Sequence, residues 1–353
     1  MKRQGRLGVG IVGCGTISGV HADAVQSLEC AELVSVFDEN GGKAEELGEK
    51  TGVPAYSRWE SFIADDRLDL VSICTPNGTH LDLGQKAAEA GKHVVVEKPI
   101  EVTLLRGRAL IDACNRCGVR LAVIFQNRFL TGALNMKEAI RQGELGNVFL
   151  ADATVKWFRN QAYYDSAAWR GTLVLDGGGV LINQAIHTVD LLQWMVGRVK
   201  TVFGHTGTFT HPHMEGEDTA VASLRFENGA VGVIEASTSI QPAMDRQVVI
   251  HGEKGTAVLD GDAFRLVKTG DSTVETESGR KPKSGGAASP LQNFSVEPHR
   301  KQFEAIVQAL LQDNIPPVSG EESLQALAIV RSIYESARTA LPVEVQKMPG
   351  VCT

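Results

Sequence analysis

In the largely apolar stretch GGGVLINQAIHTVDLLQW (residues 177–194), Asn183, His187 and Asp190 stand at helical spacing. Spaced i, i+4 and i+7, they form one line on a helix that carries Ile182, Ile186 and Val189 on one face and Ala185 and Leu192 on another. An imidazole between an amide and a carboxylate is equipped to move a proton near neutral pH. A second candidate is Lys98, in the run Glu97-Lys98-Pro99, which a strand brings to the edge where such sheets bind ligands. Thr75-Pro76-Asn77, followed by His80, ends another such strand. A third kind of chemistry is written in Gly13-Cys14-Gly15-Thr16-Ile17-Ser18, between a strand and a helix. Gly13 permits a tight turn, and Gly15 lets the backbone, with Thr16 and Ile17, approach a pyrophosphate at the helix N-terminus. Ser18 supplies a small residue where a third glycine is usual.

These residues need a sheet whose strand ends converge, and residues 1–128 predict one. Apolar strands at LGVGIV, AELVSVFD, LDLVSIC, HVVVEK and VRLAVIF alternate with amphipathic helices, the grammar of a parallel sheet covered on both faces. With the glycine turn in its first βαβ unit, this is an α/β Rossmann domain binding a dinucleotide. The second strand ends at Asp38, 23 residues after Gly15, placed to bind the adenosine ribose hydroxyls. Glu39 follows, with no Arg or Lys immediately after, so a 2′-phosphate would meet only negative charge and NAD is favoured over NADP. Residues 129–353 predict an α+β substrate-binding domain with a large, mainly antiparallel sheet, including hairpins that turn at Asn228-Gly229 and near Gly255. Residues 270–298, rich in Gly, Ser, Pro and Lys, read as a long exposed loop, and two helices near 299–313 and 321–340 close the chain.

The 353 residues are 43% hydrophobic and 22% charged, an ordinary globular composition of about two domains. A formal charge of −7 argues against nucleic acid or an anionic membrane as the partner. No apolar run approaches the ~20 residues of a membrane span, and the first residues lack a leader pattern, so a cytoplasmic location is expected. Six cysteines make no disulfide framework. Cys114 and Cys117 have redox-motif spacing but fall in the last turn of a helix ending at Gly118, without a second pair for zinc. The run HTGTFTHPHMEGED (205–218) reads as an exposed polar loop joining two strands rather than a metal site, and no metal is expected. Upstream of the helix, Lys156, Arg159, Tyr163, Tyr164, Trp169 and Arg170 gather cations and aromatics. Arginine suits carboxylate or phosphate and aromatic rings stack on sugar or nicotinamide faces. Lys156, Arg159 and Tyr163 are therefore assigned to substrate, and Trp169 and Arg170 to the cofactor.

The fingerprint at 10–18, TPN with His80, EKP, GELGNV at 143–148 and GGG-x-x-x-Asn-x-x-x-His-x-x-Asp together resemble the Gfo/Idh/MocA oxidoreductases over nearly the whole chain. The resemblance implies oxidation of a ring secondary alcohol of a sugar or polyol, with hydride moving to nicotinamide and a base taking the hydroxyl proton. It gives the proton to Lys98 and His187, with Asp190 tuning the imidazole and Glu97 and Asn77 holding the nicotinamide ribose. Many members carry Asp where this chain has Asn183, which cannot carry a proton and leaves that work to Lys98 and His187. The string YYDSAAWRGT…DGGGVLINQAIHTVDLLQW is most similar to the subgroup oxidising the 3-hydroxyl of UDP-N-acetylglucosaminuronic acid. Family resemblance also implies a dimer or tetramer built through the outer face of the second sheet. A redox-neutral glycoside hydrolase using NAD and a non-enzymatic NAD-binding regulator are the alternatives; retention of Lys98 and His187 disfavours the second.

Overall fold

The computed structural model describes residues 5–268, 274–278 and 295–347. The chain begins β1 (Leu7–Val12), α1 (Ser18–Gln26), β2 (Ala31–Phe37), α2 (Gly41–Thr51), β3 (Ala55–Tyr56), α3 (Trp59–Ile63), β4 (Leu70–Ile73), α4 (His80–Glu89), β5 (His93–Val96), α5 (Leu104–Arg116) and β6 (Leu121–Val123). It continues α6 (Thr131–Arg141), β7 (Val148–Lys156), α7 (Gln161–Asp165), a π-helical turn (Leu181–Ala185) leading into α8 (Ile186–Val196), then β8 (Val199–Gly207), β9 (Thr219–Phe226) and β10 (Val231–Ser237). There follow β11 (Gln247–Gly252), β12 (Gly255–Asp260), β13 (Ala263–Lys268), β14 (Val274–Ser278), α9 (Glu297–Leu311), α10 (Gly320–Thr339) and β15 (Val343–Glu344).

Two compact units result: Met1–Gln126 with Phe294–Leu324, and Asn127–Asn293 with Gln325–Thr353. The second differs from the continuous 129–353 domain expected, because the chain returns to the first unit at α9. The reason is apolar: Phe303, Ile306, Val307 and Leu310 on α9 are buried in one cluster with Val9 and Ile11 of β1 and Ala22 and Val25 of α1.

In the first unit six parallel strands run in the order β3-β2-β1-β4-β5-β6. Every residue of β1 and β4 is buried, as a sheet covered on both faces demands. The order reverses between β1 and β4, so the crevice at their carboxyl ends is the place where such sheets take ligands. All five expected strands form; β3, two residues at the edge, was too short to carry a period.

The second unit holds a nine-stranded sheet, β14-β13-β12-β11-β7-β10-β9-β8-β15, in which only β7 and β10 pair in parallel. Along β9, Ala220, Ala222, Leu224 and Phe226 are buried while their alternates are exposed, so one face is core and the other open. The core face is covered by α8 and α6. Both expected hairpins form, with Gly229 at φ 93° in the first. The expected loop at 270–298 is partly corrected: Val274–Ser278 pairs with β13 as β14, and α9 begins at Glu297. Strand pairing, which composition does not report, decides those residues; 270–273 and 279–294 lie outside the described residues.

Candidate active site

At the β1–α1 turn the two glycines serve different ends. Gly13 has φ 88°, and a Cβ there would lie 2.7 Å from Thr75 Cγ2, so the protein's own packing requires it. A Cβ on Gly15 would meet no protein atom within 4 Å, so nothing in the packing demands glycine there; close approach of a ligand to the backbone does. No side chain caps α1, whose N-terminal amides face the turn. Ser18 is buried and its hydroxyl donates to the Gly15 carbonyl. Asp38 braces the same turn: Oδ2 accepts the Cys14 N–H at 2.8 Å and Oδ1 the Asn40 N–H at 2.8 Å. Open backbone, an uncapped helix start and an acid at the end of β2 fit a dinucleotide. Thr16 and Ile17 lie in this turn, one exposed and the other half-buried.

Further along the edge, Thr75 follows β4 and hydrogen-bonds Thr79 at 2.6 Å between hydroxyls, while Asn77 is buried in a 3₁₀ turn after Pro76. His80 is completely buried, its ring nitrogens 3.1 Å from the Thr75 carbonyl and 3.0 Å from the Pro99 carbonyl. The cofactor role expected of His80 is therefore corrected: it braces the loops after β4 and β5. Glu97 and Lys98 follow β5. Glu97 is buried; its Oε2 accepts the Lys98 backbone N–H at 3.1 Å and its Oε1 contacts His21 Nε2 at 2.8 Å.

In the second unit the polar stripe divides. Asn183, in the π turn, and His187, on α8, are half-exposed on elements otherwise buried apart from Trp194. Asp190 is only 1% exposed, and its oxygens accept from Arg128 Nε and Nη2, each at 2.7 Å. The imidazole-tuning role is thus replaced by a bidentate ion pair. Asn183 Nδ2 donates to Oδ1 of buried Asp176, whose Oδ2 accepts the Gly171 N–H at 2.8 Å. A carboxylate thus stands one hydrogen bond behind the amide that replaced one. The approach to the π turn is crowded: Gly178 has φ 150°, and a Cβ there would lie 2.4 Å from the Tyr334 hydroxyl. Glu217 accepts the N–H groups of Gly179 and Leu181 at 3.0 and 2.8 Å and the Tyr334 hydroxyl at 2.9 Å. Burial pushes its carboxyl up to about 7 against those donors. Beside the turn, Arg170 lies 4.4 Å over Tyr163 and 4.7 Å over Trp169, and Arg159 lies 5.0 Å over Tyr163. Arg170 Nη1 donates to the Tyr163 hydroxyl at 2.8 Å, and Gln184 Nε2 to the same oxygen at 3.4 Å.

The family model described as "Oxidoreductase family, NAD-binding Rossmann fold" matches residues 7–125, and the "GFO/IDH/MocA C-terminal domain" matches 133–258. The WlbA dehydrogenase from Bordetella pertussis, solved in complex with NADH and UDP-GlcNAcA, is 34% identical with a TM-score of 0.83, covering 97% of this chain and 99% of that one. This chain belongs to the GFO/IDH/MocA family. The scyllo-inositol 2-dehydrogenase (NAD(+)) of Bacillus subtilis is 30% identical over 265 residues, 73% of this chain and 75% of that protein. The myo-inositol 2-dehydrogenase of Thermotoga maritima is 26% identical, covering 97% and 99% respectively. As a GFO/IDH/MocA member the chain is an NAD-binding oxidoreductase, and its NAD-binding domain is the first unit's parallel sheet.

Within this GFO/IDH/MocA framework, Arg159, Tyr163, Trp169 and Arg170 come together, but Lys156 does not join them. Strand alternation puts it on the open face of β7, opposite buried Val155, where it pairs with Glu235 of β10 at 2.7 Å. Its expected substrate role is corrected on that ground. The 205–218 run is also corrected in part: His205, His213 and Glu215 are exposed, but His211, Glu217 and Asp218 are buried. His211 bridges Asp218 Oδ2 at 3.0 Å and the Arg159 carbonyl at 2.8 Å. Cys114 is buried and its thiol pushed by burial up to about 12, against redox use. Sequence reasoning missed His21, Arg128, Asp176 and His299, and read Glu217 as part of an exposed loop. Asp176 lay inside the quoted DGGG and Glu217 inside the 205–218 run; His21, Arg128 and His299 each act through a partner tens of residues or more away.

Proposed function

We propose that this oxidoreductase oxidises a ring secondary alcohol of an anionic nucleotide sugar, UDP-N-acetylglucosaminuronate at its 3-hydroxyl being the specific candidate. The observation that carries this reading is the cluster of Arg159, Arg170, Tyr163 and Trp169 beside the turn bearing Asn183. Two guanidiniums held against aromatic rings suit a diphosphate or uronate, and an uncharged inositol would leave them unused; Arg170, held on Tyr163, is thereby proposed for substrate in place of the cofactor role expected of it, with Trp169 beside it. The 34% identity to a dehydrogenase solved with UDP-GlcNAcA points the same way.

NAD, when bound, supplies the hydride acceptor. The glycine turn and the start of α1 hold its pyrophosphate, and Asp38 its adenosine ribose. His187 takes the hydroxyl proton while the Lys98 ammonium steadies the negative charge growing on that oxygen; the carbon gives up its hydrogen as hydride, leaving a ketone. Asn183, its amide nitrogen occupied by Asp176, offers its oxygen to a sugar hydroxyl. We further propose a homo-oligomer formed through the open face of the nine-stranded sheet, where Val221 and Val231 are 46% and 43% exposed.

The test is NADH appearance from purified protein with NAD and, in parallel, UDP-N-acetylglucosaminuronate, glucuronate, inositols and simple glycosides. NADH with the nucleotide sugar, reduced at least about 100-fold in Lys98→Ala and His187→Ala, is the expected result. Oxidation of inositols alone would remove the substrate assignment. Full activity in either variant would remove its proton role.

A further inference from the structure

Behind Lys98 lies a buried cluster that neither the fingerprint nor the proton chemistry uses. His21, on α1, is completely buried. Its Nε2 contacts Glu97 Oε1 at 2.8 Å; its Nδ1 lies 2.9 Å from Ser72 Oγ on β4 and 3.2 Å from Cys74 Sγ. Glu97 uses its other oxygen to accept the Lys98 backbone N–H at 3.1 Å. From α9, the ring of His299 stands 5.6 Å from that of His21, and Phe303 packs edge-on at 5.1 Å. One imidazole therefore joins three things: the helix that starts at the glycine turn, the end of β4, and the carboxylate fixing the backbone of Lys98.

We infer that His21 is a positioning residue for Lys98: through Glu97 it sets the backbone from which the Lys98 side chain projects and ties it to the nucleotide-binding helix. The inference rests on the reading of Lys98 as the ammonium that steadies charge on the reacting oxygen.

The charge states agree with a clamp. Burial opposes charge on His21, but Cys74 and Glu97 outweigh it and raise its pKa to about 10, while His21 holds Glu97 well below the usual carboxylate range. His299 goes the other way, lowered by burial and by His21 to about 4, so it stays neutral and leaves Glu97 to His21. The groups facing His21 are Ser72, Cys74, Glu97 and His299, with Phe303 closing the site. His21, Glu97 and His299 also place a ligand atom each within 4.8 Å of one another, as a metal site would. The 2.8 Å His21–Glu97 contact decides against that. It is a hydrogen-bond distance, shorter than the roughly 3.3 Å between two ligands of a tetrahedral zinc.

The experiment compares wild type, His21→Leu, His21→Gln and Lys98→Ala, each checked for folding by circular dichroism and for NADH binding by fluorescence. In His21→Leu we expect kcat to fall at least about tenfold, KM for NAD to stay within about threefold, and the limb of the kcat–pH profile lost in Lys98→Ala to shift. His21→Gln, which restores a donor to Glu97, should recover most of kcat and carries the same test if His21→Leu does not fold. Wild-type kcat and pH profile in both folded His21 variants, with Lys98→Ala inactive, would overturn this inference alone. Activity in Lys98→Ala would overturn the reading beneath it. Stoichiometric metal in the purified protein, lost together with activity on chelation, would replace the clamp by a metal site.

Discussion

A carboxylate held by both arms of a buried guanidinium is a fastening, not a proton shuttle, and that is how Asp190 meets Arg128. Removing one partner leaves a charge stranded in the core. Asp190→Ala should therefore destabilise the second unit by about 3–5 kcal/mol, read by urea denaturation. The pH dependence of kcat should stay where it was in the protein that remains folded. A shifted pH profile with unchanged stability would return Asp190 to the imidazole. Local pattern made the positions of the two glycines, Asp38, Asn183 and His187 legible: a turn between strand and helix, a strand end, and one line along the π turn and α8. Asp190, Lys156 and His80 were misread because their partners, Arg128, Glu235 and the carbonyls of Thr75 and Pro99, lie on other elements.

At the scale of the element, α9 is the informative case. It was predicted as a helix, yet its membership in the first unit follows from where its apolar face is buried. That placement buries His299, 1% exposed, beside His21 and Glu97. Burial and the neighbouring His21 hold its folded pKa near 4, below the ordinary imidazole value of about 6.5, so folded protein binds fewer protons than unfolded protein between those values. The resulting stability is present above about pH 6.5 and lost as pH falls through 4, a loss of roughly 2.6 kcal/mol by pH 4.5. Urea midpoints of wild type and His299→Leu, measured at pH 7 and pH 4.5, test it: the gap between them should change in favour of the variant on acidification. An equal gap at both pH values would show that His299 charges without penalty.

At the scale of the whole molecule, the open face of the nine-stranded sheet bears on assembly. Light scattering behind size exclusion should give a dimer or tetramer, and Val221→Lys with Val231→Lys should lower the mass; a monomer at micromolar concentration would dismiss the oligomer. None of the described helices is long and apolar enough to cross a membrane. By itself the sequence determined the two kinds of sheet, the nucleotide turn, and the strand ends and helix that bear the polar groups. Those signals repeat at periods of two and 3.6 residues or sit within a few residues of one another. Only the tertiary structure decided that α9 returns to the first unit, that β14 pairs with β13, that Asp190 is fastened to Arg128, and that His21 stands behind Glu97. The Arg128–Asp190 and His21–Glu97 contacts join residues 62 and 76 positions apart, along helices and strands whose local patterns are complete without them. Burial and charge pairing, both properties of the folded chain, are what bring them together.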